Sequence, residues 1–127
     1  INAQSLAVMA ESRGYFKHEV RSLWPGVRVV DVHPSRAAAV GGASEFRGRP
    51  REERKAGTAA FALKVLARHG MAVPAGGLTE DVADAVVIGI AAHWQLGAEV
   101  VGVERAKATG WRAVVFGGAG AEIGVSG

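Results

Sequence analysis

Two carboxylates, Asp81 and Asp84, stand three residues apart at the start of the apolar segment EDVADAVVIGIAAHW, residues 80–94. On a helix, this spacing places both side chains on one face. Adjacent carboxylates repel each other unless a cation lies between them, and Mg²⁺ prefers carboxylate oxygens as ligands. The pair is therefore a candidate for half of a metal site. The alternative is that acidic residues in a first turn only complement the positive end of the helix dipole.

A basic segment, RGRPREERK at residues 47–55, precedes this pair along the chain. Arginine binds phosphate through two parallel hydrogen bonds, so such a segment suits a phosphodiester backbone. The alternative is a solvated surface loop whose arginines pair with its own glutamates. The candidate DNA-binding residues are Arg36, Arg47, Arg49, Arg51, Arg54 and Lys55.

The elements that would position these residues follow from hydrophobic periodicity. A first helix begins at Asn2 or Ser5 and runs to about Leu23, where a Trp-Pro-Gly turn ends it. The β-branched segment 27–32 predicts a short buried strand that ends at Pro34.

Helices are expected again at 35–40, from near Arg51 to Gly70, and from a Thr79 N-cap to about Trp94, with a Gly- and Arg-rich loop at 41–50. Residues 111–118 predict a strand, whereas residues 98–110 fit either a helical extension or a strand. This alternation favours an α/β fold.

Composition narrows the function class. The 127 residues fit one domain, 49% of them are hydrophobic, and the net charge of +3 permits an anionic partner. The absence of cysteine excludes disulfides, thiolate zinc sites and cysteine nucleophiles. No Walker loop or GxSxG motif supports NTPase or serine hydrolase chemistry. Without a signal peptide or a long uncharged apolar run, we expect a protein with no membrane span in a cytoplasmic or virion-type setting.

The glycines near the end of the chain imitate a dinucleotide-binding turn. Gly118, Gly120 and Gly124 follow the strand predicted at 111–118. That motif requires a helix after the glycines and an acidic residue about 20 positions further on, and neither is present. We therefore expect a flexible terminal segment here rather than a nucleotide site.

The order of these segments resembles the second half of RuvC-like Holliday junction resolvases and their phage relatives. The resemblance covers residues 2–94 and runs through NAQSLAVMAESRGYFKHEV, GVRVVDVHPSRAAAVGG, the basic segment and EDVADAVVIGIAAH. Its most specific part is Asp81-Val-Ala-Asp84-Ala85, which matches the D-x-x-D-A opening of the family's last helix.

The resemblance implies an RNase H-like three-layer α/β fold, usually in a homodimer, that hydrolyses phosphodiesters in branched DNA with Mg²⁺, or with Mn²⁺ in its place. Asp81 and Asp84 would be the last two of its four acidic metal ligands. The other two, in a D-x-G strand and at the end of a later strand, have no counterpart in this sequence, so an active nuclease would require that residues upstream of Ile1 supply them.

Residues 1–98 would thus form the C-terminal portion of the RNase H-like domain, apparently without its N-terminal strands, and the Gly-rich segment 99–127 has no assignment. The competing hypothesis is a catalytically inactive RNase H-like module that binds DNA or a protein partner.

Overall fold

The structure, a computed structural model, describes residues 3–73 and 75–117, with side chains from residue 13 onward except that of Ser44. The chain divides after Asp31 into two compact units. The elements are α1 (Ala3–Leu23), α2 (Pro34–Val40), a 3₁₀ turn (Ala43–Phe46), α3 (Arg51–Arg68), α4 (Glu80–Gln95), β1 (Val103–Arg105) and β2 (Ala113–Val115).

The N-terminal unit consists of α1 and the segment that follows it. The predicted helix to Leu23 is confirmed, and Gly26, with φ of +87°, turns the chain after it. The Lys17 ammonium donates a hydrogen bond to the Asp31 carboxylate. This hydrogen bond lowers the pKa of Asp31 below its usual value of 3.8, because it favours the charged form.

The buried strand predicted at 27–32 is wrong, since the structure assigns this segment to neither strand nor helix. Val27 is 43% exposed, and among the described residues the only paired strands are β1 and β2. A strand forms only when a neighbouring strand can accept and donate its backbone hydrogen bonds. β-branched residues fit well on a pleated sheet, but their presence does not show that such a neighbour exists. Val32 nevertheless packs against the core of the C-terminal unit.

In the C-terminal unit, three helices and the β1–β2 hairpin surround one small core. Val40 and Ala91 are fully buried in it, and Val103 and Ala113 bring the hairpin into the same cluster. The other buried hydrophobic residues of the described chain are alanine, valine, leucine and isoleucine. Helix α3 packs on α4, and alanine is among the buried residues of both helices, Ala62 in α3 and Ala83 and Ala91 in α4.

Helix boundaries in this unit follow local capping rules, and they confirm the predicted helices. The Thr79 hydroxyl accepts a hydrogen bond from the backbone N–H of Val82 at 3.2 Å, so α4 begins where its N-cap was expected. Gly70 (φ +66°) ends α3, with the N–H of Met71 bonded to the carbonyl of Leu66 at 2.9 Å. This is the Schellman arrangement, which requires a left-handed residue.

The strand predicted at 111–118 is confirmed as β2, and the ambiguous segment before it contains β1. The two strands pair antiparallel, with Val103 opposite Val115 and Arg105 opposite Ala113. Among the described residues this hairpin is the whole sheet. The three-layer RNase H-like arrangement therefore stays a prediction.

The segment before α3 packs on the helix through an aromatic ring. The ring of Phe46 lies against α3 at Gly57, where a Cβ atom would come within 2.5 Å of it. A glycine inside a helix costs roughly 0.5–1 kcal/mol relative to alanine. At position 57, the absence of a side chain leaves the space that the Phe46 ring fills.

Candidate functional site

Two basic side chains near the start of α3 form ion pairs with two acidic side chains near the start of α4. The Lys55 ammonium lies 3.3 Å from the Asp84 carboxylate and 3.8 Å from that of Glu80. The Arg51 guanidinium donates to Glu80 at 2.8 Å. The fold thus brings two residues of the basic segment and two of α4 into one ion-pair cluster, in which Arg51–Glu80 and Lys55–Asp84 are each 29 positions apart in sequence.

This cluster, Arg51, Lys55, Glu80 and Asp84, remains accessible to solvent. The side chains of Lys55 and Asp84 are 34% and 41% exposed, and those of Arg51 and Glu80 are more exposed still. Ion pairs at such positions contribute about 0–1 kcal/mol each because water screens them. A phosphate or a divalent cation can therefore replace one partner at little cost to the fold.

A groove of about 520 Å³ opens beside the cluster. Its walls combine apolar side chains from α2, the 3₁₀ turn and α4 with charged residues of α3. The apolar lining includes Val32, Pro34, Ala37, Ala38, Ala43, Phe46, Val87 and Ile88. Arg51, Arg54 and Lys55 contribute three cations and Asp84 one carboxylate. The geometry suits an anionic ligand that runs along the rim of a partly apolar groove.

Asp81 lies one turn before Asp84, at the exposed start of α4. In the described part of the chain, no group of three histidine or acidic side chains is close enough to hold a metal ion. The oxygen ligands of Asp81 and Asp84 fit a hard cation such as Mg²⁺ in kind. They fall short of it in number, and Lys55 pairs with one of them.

The remaining candidates for DNA contact are distributed unequally. Arg54 joins Arg51 and Lys55 on the groove, whereas Arg49 pairs with Glu53 at 3.4 Å, as the solvated-loop alternative expects. Arg47 is exposed at the end of the loop. Arg36 lies elsewhere, with its guanidinium 4.7 Å from the centre of the Trp111 ring.

Two features of this region were not visible in the sequence. Glu80 reads as an ordinary first-turn acid, yet it binds both Arg51 and Lys55. Outside the groove, the Arg105 guanidinium lies over the rings of both Trp94 and Trp111, a contact that no sequence motif predicts. Gly118, Gly120 and Gly124, the glycines of the nucleotide-site alternative, lie outside the described residues.

Comparisons with protein-family models, with curated protein sequences and with solved structures returned no match. Within residues 3–73 and 75–117, no helix combines the length and the apolar character needed to cross a membrane.

Proposed function

We propose that this chain belongs to a Mg²⁺-dependent endonuclease of the Holliday junction resolvase type, which hydrolyses phosphodiesters in branched DNA. One observation carries the proposal: Asp84, one turn after Asp81, lies beside the cations Lys55, Arg51 and Arg54 on a single groove. Carboxylates next to phosphate-binding cations are what phosphodiester cleavage requires, because the metal ligands must be adjacent to the phosphate.

In this mechanism the cations of α3 hold the DNA backbone. Arg54 has no ion-pair partner among the described residues, so its guanidinium would bind a phosphate directly. Lys55 would exchange Asp84 for a second phosphate oxygen as the strand enters. Asp84 and Asp81 would then hold Mg²⁺ together with acidic residues beyond those described. When bound, the ion supplies an activated water and stabilises the leaving oxygen.

Replacing Asp84 tests the proposal. In Asp84→Asn we expect cleavage of a synthetic four-way junction in Mg²⁺ to fall at least about 100-fold, the upper end of what loss of a supporting group at a metal costs. Junction affinity, measured by fluorescence anisotropy in EDTA, should stay equal or rise, since Lys55 is released from its carboxylate.

Asp31→Asn is the matched control, because it breaks another lysine–aspartate pair outside this groove. Cleavage that survives in Asp84→Asn, or that falls equally in both variants, contradicts the proposal.

The second candidate is a catalytically inactive RNase H-like module that binds DNA or a protein partner. It is favoured by the Lys55–Asp84 pair and by the finding that, in the described region, no group of three acidic or histidine side chains could hold a metal ion. Junction binding by the wild-type chain without cleavage in Mg²⁺ or Mn²⁺ would select this candidate over the nuclease.

A cytoplasmic location is part of this proposal, because the enzyme would act on DNA inside the cell. A homodimer would offer two equivalent grooves to the symmetric arms of a junction. Sedimentation equilibrium of the chain with and without junction DNA measures this stoichiometry.

A further inference from the structure

A second basic cluster in the C-terminal unit combines two arginines with two tryptophans. The guanidinium carbon of Arg105 lies 4.5 Å from the centre of the Trp111 ring and 5.0 Å from that of Trp94. Arg36 lies 4.7 Å from the Trp111 ring, and the two indoles are 6.2 Å apart at 48°. We call these four residues the Arg–Trp cluster.

The indoles of the Arg–Trp cluster are fixed by the fold. Trp94, at the end of α4, and Trp111, just before β2, are partly buried and pack against the hydrophobic core. Each arginine comes from a different element, Arg36 from α2 and Arg105 from β1. A guanidinium held against an indole by cation–π attraction loses less freedom when it binds a ligand than one free in solvent.

The charge of the Arg–Trp cluster is not neutralised within the described residues. Neither Arg36 nor Arg105 forms an ion pair with a described carboxylate, whereas Arg112, next to Trp111, pairs with Glu45. Both guanidinium carbons lie within 4.7 Å of the centre of the Trp111 ring, so two positive charges without a described carboxylate partner lie beside one indole. Phosphates of one strand can neutralise these charges, because phosphate accepts hydrogen bonds from arginine bidentately.

We infer that Arg36 and Arg105, supported by Trp94 and Trp111, form a second phosphate-binding site, which holds the backbone of a nucleic acid strand. The inference rests on the proposed function only in taking DNA as the source of the phosphate. It adds a contact that is separate from the groove of α3 and α4, since none of the four residues lines that groove.

The test uses the full chain with Trp24→Phe, so that the two indoles of the Arg–Trp cluster are the remaining tryptophans. Adding duplex DNA should change their fluorescence, and Arg105→Gln should abolish that change. We expect Arg105→Gln to weaken duplex binding about eightfold at 0.1 M salt and to reduce the slope of log K against log salt by about 0.9, the share of one phosphate.

Arg112→Gln is the matched control, because it removes one positive charge beside Trp111 that Glu45 already neutralises. Equal effects of Arg105→Gln and Arg112→Gln on DNA binding would overturn the inference in favour of general charge attraction. If Arg105→Gln lowers the melting temperature, the exposed Arg36→Gln replaces it and should show the same loss.

Inorganic pyrophosphate serves as the second probe. A fluorescence response to pyrophosphate with none to DNA would overturn the assignment to a nucleic acid strand. Loss of the DNA response in Arg105→Gln upholds the second site even where the wild-type chain cleaves no junction, so failure of the nuclease proposal is distinguishable from failure of this one.

Discussion

At the residue scale, the ion pairs between α3 and α4 decide how much positive charge the groove offers. The Glu80 carboxylate lies 2.8 Å from the Arg51 guanidinium and 3.8 Å from the Lys55 ammonium. One carboxylate therefore pairs with two of the three cations that line the groove. The groove is therefore less basic than its sequence indicates. Arg54 alone among these cations makes no ion pair with a described residue.

This competition gives a prediction for Glu80→Gln. The substitution frees Arg51 from its partner and leaves Lys55 paired only with Asp84, so affinity for duplex DNA should rise about three- to tenfold at 0.1 M salt, the gain from up to one added phosphate contact. Fluorescence anisotropy with a labelled duplex measures it. Glu104→Gln, at an exposed strand position, makes the same change in net charge and should raise affinity much less. An equal gain in DNA affinity in both variants would show that net charge, rather than the release of Arg51, sets the affinity.

At the element scale, the start of α4 positions both candidate metal ligands. The hydroxyl of Thr79 caps this helix, and Asp81 and Asp84 follow within the next turns. In Thr79→Ala the N–H of Val82 loses its acceptor, and we expect the free energy of unfolding to fall by about 1 kcal/mol. Urea denaturation measures the change. Thr79→Ser keeps the hydroxyl, so its free energy of unfolding should stay close to that of the wild type. An equal loss of stability in Thr79→Ser would mean that the threonine methyl group, rather than the capping hydrogen bond, stabilises the protein.

Glycine-to-alanine substitutions at two positions should change the free energy of unfolding in opposite directions. Gly89 lies inside α4 with no atom within 4 Å of an added Cβ, so Gly89→Ala should stabilise the protein by about 0.5–1 kcal/mol. Gly70 has equal space but a φ of +66°, so Gly70→Ala should destabilise it by about 1 kcal/mol. Thermal unfolding followed by circular dichroism compares the two variants. Changes of the same sign would refute the assignment of Gly70 as the left-handed end of α3.

The helices were predictable because their signals are local. Apolar periodicity, the Thr79 cap and Gly70 all act within a few residues, and each helix begins or ends where they indicate. The prediction of a strand at 27–32 was wrong, because strand formation depends on a neighbouring strand that local composition cannot specify. The Lys55–Asp84 pair joins residues 29 positions apart, and only the packing of α3 on α4 creates it. The residue types of the candidate site were thus visible, but their pairing was not.

At the scale of the whole molecule, a net charge of +3 does not show where cations lie together. In the C-terminal unit they lie together at the groove, where Glu80 and Asp84 partly neutralise them, and at the Arg–Trp cluster. DNA affinity should therefore depend on the few phosphates that contact these two places. For three such contacts, affinity should fall roughly 40-fold between 50 and 200 mM salt.

Anisotropy titrations over this salt range measure the slope. The melting temperature recorded in the same buffers serves as the control, since it must stay constant for the slope to report on phosphate contacts. A salt-independent affinity would exclude binding through the phosphate backbone.

The contact between Phe46 and Gly57 has a consequence for how this protein can change over evolutionary time. A side chain at position 57 would collide with the Phe46 ring, and the ring also lines the groove. The two positions therefore cannot drift independently: a larger residue at 57 requires a smaller one at 46. In related chains we expect the pair to covary, with glycine at one position accompanying an aromatic residue at the other.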